Sequence, residues 1–157
     1  MVLSVDDWIF DIDLEKTMLH ASLLSEDHCS CGYCLNYYLA MRKVYPKLCL
    51  FLQKFGLSVD GPMELMPVEP TLYLAGYPVQ GKVLRFGREP MVIDGIPVVA
   101  LWENEVQFIL EVGDIPLPWL MDEPMDSVVS PANEPEFLDR MNRKMLERNA
   151  GDAFLLS

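Results

Sequence analysis

Positive charge is scarce in this sequence: twelve Lys and Arg stand against 24 Asp and Glu, leaving a net charge of −12 with histidine neutral. Such a surface repels phosphate backbones and anionic headgroups, which excludes nucleic acid and membrane surfaces and leaves a basic protein as the fitting partner. Long apolar runs are missing too. Nothing approaches the roughly 18 apolar residues of a membrane span. The opening MVLSVDDWIF lacks the basic start and apolar centre of a secretion signal, so a cytoplasmic location is expected. Histidine is limited to His20 and His28. With scattered acids as the remaining material, no nucleophile and base pair or phosphate loop can be assembled, and a non-catalytic interaction or ligand-binding module is the leading expectation. Internal repeats and low-complexity tracts are absent. Cysteine is limited to four, three of them crowded together as Cys29, Cys31 and Cys34. A disulfide framework would spread its pairs along a secreted chain, so reduced thiols or a metal are expected instead.

What is present can fold. Hydrophobic residues make up 51% and charged residues 23% of 157 residues, which fits one domain over 1–157 with a sizeable core. Trp8 to Ile12 forms a short β-prone run, and Leu14 to Leu24 reads as a helix that Asp13 can cap and Glu15 suits electrostatically. From Tyr33 onward Cys34, Tyr37, Met41, Val44, Leu48, Phe51 and Phe55 recur at steps of three and four, the period of one buried helix face. Pro46 interrupts that long helix, predicting a kink or two abutting helices that end near Gly56. Between Met63 and Val112 the pattern changes to MELMPV, TLYLAGYPV, GKVLRF, PMVI, IPVVALW and EVQFILEV, the alternation of an antiparallel sheet. Asp94-Gly95 supplies a two-residue hairpin turn. Residues 113–135 carry five prolines and predict an ordered wrap without regular structure. Pro135 starts a terminal amphipathic helix bearing Phe137, Leu138, Met141, Met145 and Leu146, with Gly151 near its stop. The expected fold is α+β: an antiparallel sheet over 63–112 packed on one long helix, an N-terminal strand and helix, and both chain ends wrapped outside.

The chemistry concentrates in Asp27-His28-Cys29-Ser30-Cys31-Gly32-Tyr33-Cys34. Thiolate and imidazole are the donors a tetrahedral zinc prefers, which makes Cys29, Cys31, Cys34 and His28 the candidate ligands. No second Cys-x-x-Cys completes a four-ligand set. Cys49 lies 15 positions past Cys34, about 22 Å along a continuous helix, and reads as a small buried hydrophobe. His20 reaches the cluster only if its helix packs beside the long one. Cys31-Gly32-Tyr33-Cys34 also resembles a thioredoxin-type motif, which implies a dithiol whose first sulfur is acidified by the helix dipole. The polar SEDHCS before it lacks the apolar strand of that fold.

WIFDIDLEKT resembles the aspartate-nucleophile motif of the haloacid dehalogenase superfamily, through Asp11-x-Asp13 after an apolar strand and before a helix. The resemblance implies a Mg2+-dependent phosphohydrolase with Asp11 as nucleophile and Asp13 as acid and base, and Asp122 to Asp126 is similar to the family's later acidic pair. Glu15 departs from the Thr or Val of that motif, and hairpins replace the crossovers a parallel sheet requires. The segments DIDLEKT, DHCSCGYCLNYYLA, YPKL, FLQKFGLSVDGPMELMPVEPTLY and LPWLMDEPMDSVVSPANEPEFL together resemble an uncharacterised group of small cytoplasmic proteins from gut-dwelling Gram-positive bacteria. That resemblance implies an accessory bacterial protein and assigns no residue a role. Residues 1–27 hold seven acids against Lys16, a net −6, and offer a docking face for a basic partner. Arg140, Arg143, Lys144 and Arg148 near the other end could answer that charge within the chain.

Overall fold

Alternation of apolar and polar residues makes the sheet. The computed structural model describes residues 1–69 and 71–122. Seven strands, β1 (Val2–Val5), β2 (Trp8–Ile12), β3 (Glu64–Glu69), β4 (Leu72–Arg85), β5 (Met91–Ile93), β6 (Ile96–Trp102) and β7 (Gln107–Pro116), form one antiparallel sheet ordered β1-β2-β4-β7-β6-β5, with β3 also on β4. Among the described residues three helices accompany it: α1 (Leu14–Glu26), α2 (Gly32–Val44) and α3 (Pro46–Lys54). The α+β reading with an antiparallel sheet against the central helical stretch is therefore the observed one. Asp94 and Gly95 take φ of 53° and 78° and join β5 to β6 in register Ile93↔Ile96, as a two-residue hairpin requires.

Several expectations are corrected in detail. The helical stretch divides at Pro46 into α2 and α3, because the ring removes a donor and restricts Tyr45, whose φ of −125° and ψ of 61° close one helix and open the next. The break also leaves Val44 exposed while Leu48, Phe51 and Phe55 resume the buried stripe. TLYLAGYPV and GKVLRF are one strand, β4, that continues through Gly81. Its first half pairs with β3 and its second half with β2, while β7 takes the other edge. The N-terminal end is not wrapped outside: β1 and β2 form a hairpin that makes one edge of the sheet, and Phe10 and Ile12 are core residues. Residues 113–116, assigned to the Pro-rich wrap, extend β7, because Ile115 is buried opposite Tyr73. Leu117 to Asp122 carry no helix or strand. The remainder of that wrap, the terminal helix and the arginine cluster lie outside the described residues.

The core lies between the helices and the sheet. Tyr37, Met41, Leu48, Leu52 and Phe55 meet Phe10, Tyr73, Tyr77, Phe108 and Leu110 in one apolar cluster. Asn36, buried on α2, donates to the Tyr73 hydroxyl and the Pro118 carbonyl and accepts from the Leu120 amide at 2.7 Å, which ties the segment after β7 over the helix. These bonds fix the N-terminal half of α2, where the cysteine cluster sits.

Candidate metal centre

Asp27 closes α1, donating its amide to the Leu23 carbonyl, and the chain then runs through His28 to Ser30 before α2 begins. Cys31 is the N-cap of α2, with extended backbone (φ −67°, ψ 159°), and its Sγ accepts from the Cys34 amide at 3.5 Å. A sulfur here replaces the usual Ser or Asp oxygen in satisfying a free amide of the first turn. The Cys31 amide in turn donates to Cys29 Sγ at 3.5 Å, folding the loop so that both earlier sulfurs turn toward the helix start. Cys34, one turn in, faces the core and is buried; Cys31 is half-buried and Cys29 exposed. The spacing C-x-C-x-x-C thus produces a gradient from a buried sulfur to a surface one.

The three Sγ atoms lie within 4.8 Å of one another, and among the described residues they are the one group of three or more Cys, His, Asp or Glu donors that could share an ion. Tetrahedral zinc with bonds of about 2.3 Å sets sulfurs about 3.8 Å apart, so closing the set takes side-chain movement of about an ångström. The amides aimed at Cys29 and Cys31 are the outer contacts that hold thiolate ligands in place. The neighbouring Cys34 side chain first, and the amide at the helix start, bring the Cys31 thiol down to about 5 against the opposing effect of burial. Cys34 is pushed strongly upward, first because its proton is held on Cys31, then by burial and by the charges of Cys31 and Cys29. The two sulfurs are thus pulled in opposite directions, Cys31 toward the thiolate and Cys34 toward keeping its proton. A thiophilic metal suits this donor set, since its charge replaces that proton.

The other sequence candidates are placed elsewhere. His28 stacks on Tyr38 with ring centroids 4.8 Å apart and planes 16° apart. Tyr38 was not singled out from sequence, although it sits four residues after Cys34 on the same face of α2. Burial is the first cause raising its hydroxyl pKa, with Cys34 and Cys29 adding to the rise. His20 does not reach the sulfurs: its Nδ1 meets Gln80 Nε2 at 3.4 Å on β4. Cys49, half-buried, donates to the Met41 carbonyl at 3.5 Å.

Asp11 and Asp13 line an open groove of about 710 Å3 with Glu15, Lys16, Lys82 and Glu105. Asp13 Oδ1 is used as the α1 cap, accepting from the Lys16 amide at 3.1 Å. Asp11 Oδ1 lies 3.4 Å from the terminal ammonium of Met1. Both carboxylates thus have structural partners, and among the described residues no third donor joins them around an ion. No helix of the described residues is long and apolar enough to cross a membrane. No family model, no curated protein and no solved structure matches the chain.

Proposed function

We propose that this chain is a non-enzymatic, cytoplasmic binding module in which Cys29, Cys31 and Cys34 hold one zinc ion that fastens the α1–α2 loop to the start of α2. The observation that carries this reading is the convergence of three sulfurs within 4.8 Å at a helix N-terminus. Its supports are amides directed at two of the sulfurs and the positive end of the α2 dipole beneath them. When bound, zinc supplies charge neutralisation and a covalent-like cross-link in place of a larger core. The acidic residues before Asp27 favour a basic surface on whatever the module binds. The test is metal content after purification without chelator, with thiol counting in native and denatured protein. One zinc per chain, with three thiols protected until chelator or denaturant is added, is the expected result. Metal-free protein that takes up no zinc, with Cys29 freely reactive, would overturn it.

A second reading is favoured by one specific contact, the Cys34 amide donating to Cys31 Sγ at 3.5 Å at the helix cap, with the Cys34 sulfur within 4.8 Å. That is the arrangement of a dithiol, in which the Cys31 thiolate attacks a disulfide substrate, releases one thiolate, and Cys34 then resolves the mixed disulfide by losing its proton. Formation of a Cys31–Cys34 disulfide by oxidised glutathione in protein that binds no zinc would favour this reading over the first.

A further inference from the structure

We infer that the ion at Cys29, Cys31 and Cys34 keeps one coordination position open to solvent, and that this position takes the imidazole of a histidine in a basic segment of another protein. The inference rests on the zinc reading above and specifies its partner.

Few residues can supply a fourth donor. The whole sequence contains four cysteines and two histidines. Residues 123–157 contain neither type. Three cysteines form the cluster, so a fourth thiolate or imidazole ligand among these 157 residues has to be Cys49, His20 or His28. Cys49 is engaged on the Met41 carbonyl and His20 lies against Gln80. His28 is close by, yet it is seated on Tyr38, and ligation by adjacent residues 28 and 29 strains the backbone between them. Among the described residues no carboxylate joins the three sulfurs either. Structural zinc sites close with four protein ligands, whereas three ligands leave a position for an outside molecule.

Burial says which way that position faces. Cys34 is at the bottom of the cluster and Cys29 at its exposed rim, so an ion resting on all three has its free side toward solvent. Charge says what it accepts. Three thiolates on a dication leave one negative charge, next to Glu26 and Asp27 in a chain of net charge −12. A fourth thiolate or a carboxylate would deepen that charge, whereas imidazole adds none and is a preferred zinc donor. Basic residues flanking the incoming histidine would be attracted by the same acids.

Cobalt(II) substituted into the full-length chain reports its coordination directly through visible d–d absorption. Titration with imidazole is expected to shift these bands with one equivalent bound per cobalt, in both the unmodified chain and His28→Gln. That substitution should change cobalt affinity by less than the roughly tenfold typical of losing an outer-shell partner. A peptide Gly-Lys-His-Lys-Gly is expected to bind more tightly than Gly-Glu-His-Glu-Gly, by a margin that shrinks as salt rises. Bands indifferent to imidazole would overturn the open position, and if His28→Gln also alters them, His28 is the closing ligand. A response to 2-mercaptoethanol but not to imidazole would overturn the ligand class, and equal binding of the two peptides at low salt would overturn the basic partner. Failure to take up cobalt or zinc at all would instead remove the reading on which the inference rests.

Discussion

The hydroxyls of Tyr37 and Tyr77 lie 2.6 Å apart in the centre of the core, both side chains completely buried. Tyr77 donates onward to the Val59 carbonyl at 2.9 Å, so Tyr37 is the donor to Tyr77 and the bonds run in one direction from α2 through β4 to the loop after α3. Removing the middle hydroxyl by Tyr77→Phe leaves a buried donor and a buried carbonyl without partners. The expected loss is about 2–3 kcal/mol, against about 1 kcal/mol for Tyr37→Phe, which leaves the bond to Val59 intact. Urea denaturation of the two variants checks the order, and equal losses would contradict it.

Alkaline titration should reveal the same layer. Burial is the first cause raising the pKa of Tyr37, Tyr73 and Tyr77, with Tyr73 pushed to about 12. A raised pKa on an acid means that the neutral form fits the fold. The stability from these groups is fully present below their unfolded value near 10 and is lost as pH rises through the folded values. Phenolate absorbance from these three should therefore appear together with unfolding as pH climbs above about 10. A smooth independent titration with the fold intact would show that the hydroxyls are accessible.

Gly81 and Gly95 both have positive φ, but for different reasons. At Gly81 a Cβ would run into the Asp11 carbonyl oxygen on the paired strand β2; at Gly95 nothing lies within 4 Å. Gly95→Ala meets only backbone strain, of order 1 kcal/mol. Gly81→Ala has to displace backbone of β2 and should cost at least twice as much, placing it among severe single substitutions. Thermal melts of the two proteins compare them directly.

In metal-free protein Cys31 should be the thiol that iodoacetamide reaches first at acidic to neutral pH. Its rate should rise through about pH 5 and flatten by pH 7, because the Cys34 thiol and the first-turn amide favour its ionised form. Cys34→Ala removes the leading cause, so the rate profile should move to higher pH. Mass mapping of the alkylated peptide at each pH makes the measurement.

The architecture was legible wherever local pattern and tertiary need agree. Asp94-Gly95 announces its hairpin because two consecutive positive φ angles are cheapest for such a pair. The Pro46 break in the long apolar stripe and the Asp13 cap of α1 are likewise local events with one steric or hydrogen-bonding cause each. Gly81 misled the reading, since it resembles a strand break and instead lets the β2 backbone at Asp11 and Ile12 approach β4 closely. β1 was invisible: four residues joined to β2 through Asp6, a non-glycine at φ 51°, give no periodic signal. Residues 113–116 were hidden by their proline content, although Ile115 is fully buried. Cys29, Cys31 and Cys34 were legible as a set from spacing alone, because their approach is made by one turn of chain. The positions of His20 and His28 were not, because Gln80 and Tyr38 hold them through contacts distant in sequence or across the helix.

The 14 residues of β4 impose an order of events during synthesis. The hairpin of β1 and β2 leaves the ribosome before its partner positions, Gly81 to Arg85, which follow about 70 residues later. At typical elongation speeds of roughly 5–20 residues per second, the hairpin waits several seconds with one edge uncovered. Until then Phe10 and Ile12 can meet only the helices, since the strands that complete their core, β4 and β7, are not yet made, and the hairpin is held by only part of its final contacts.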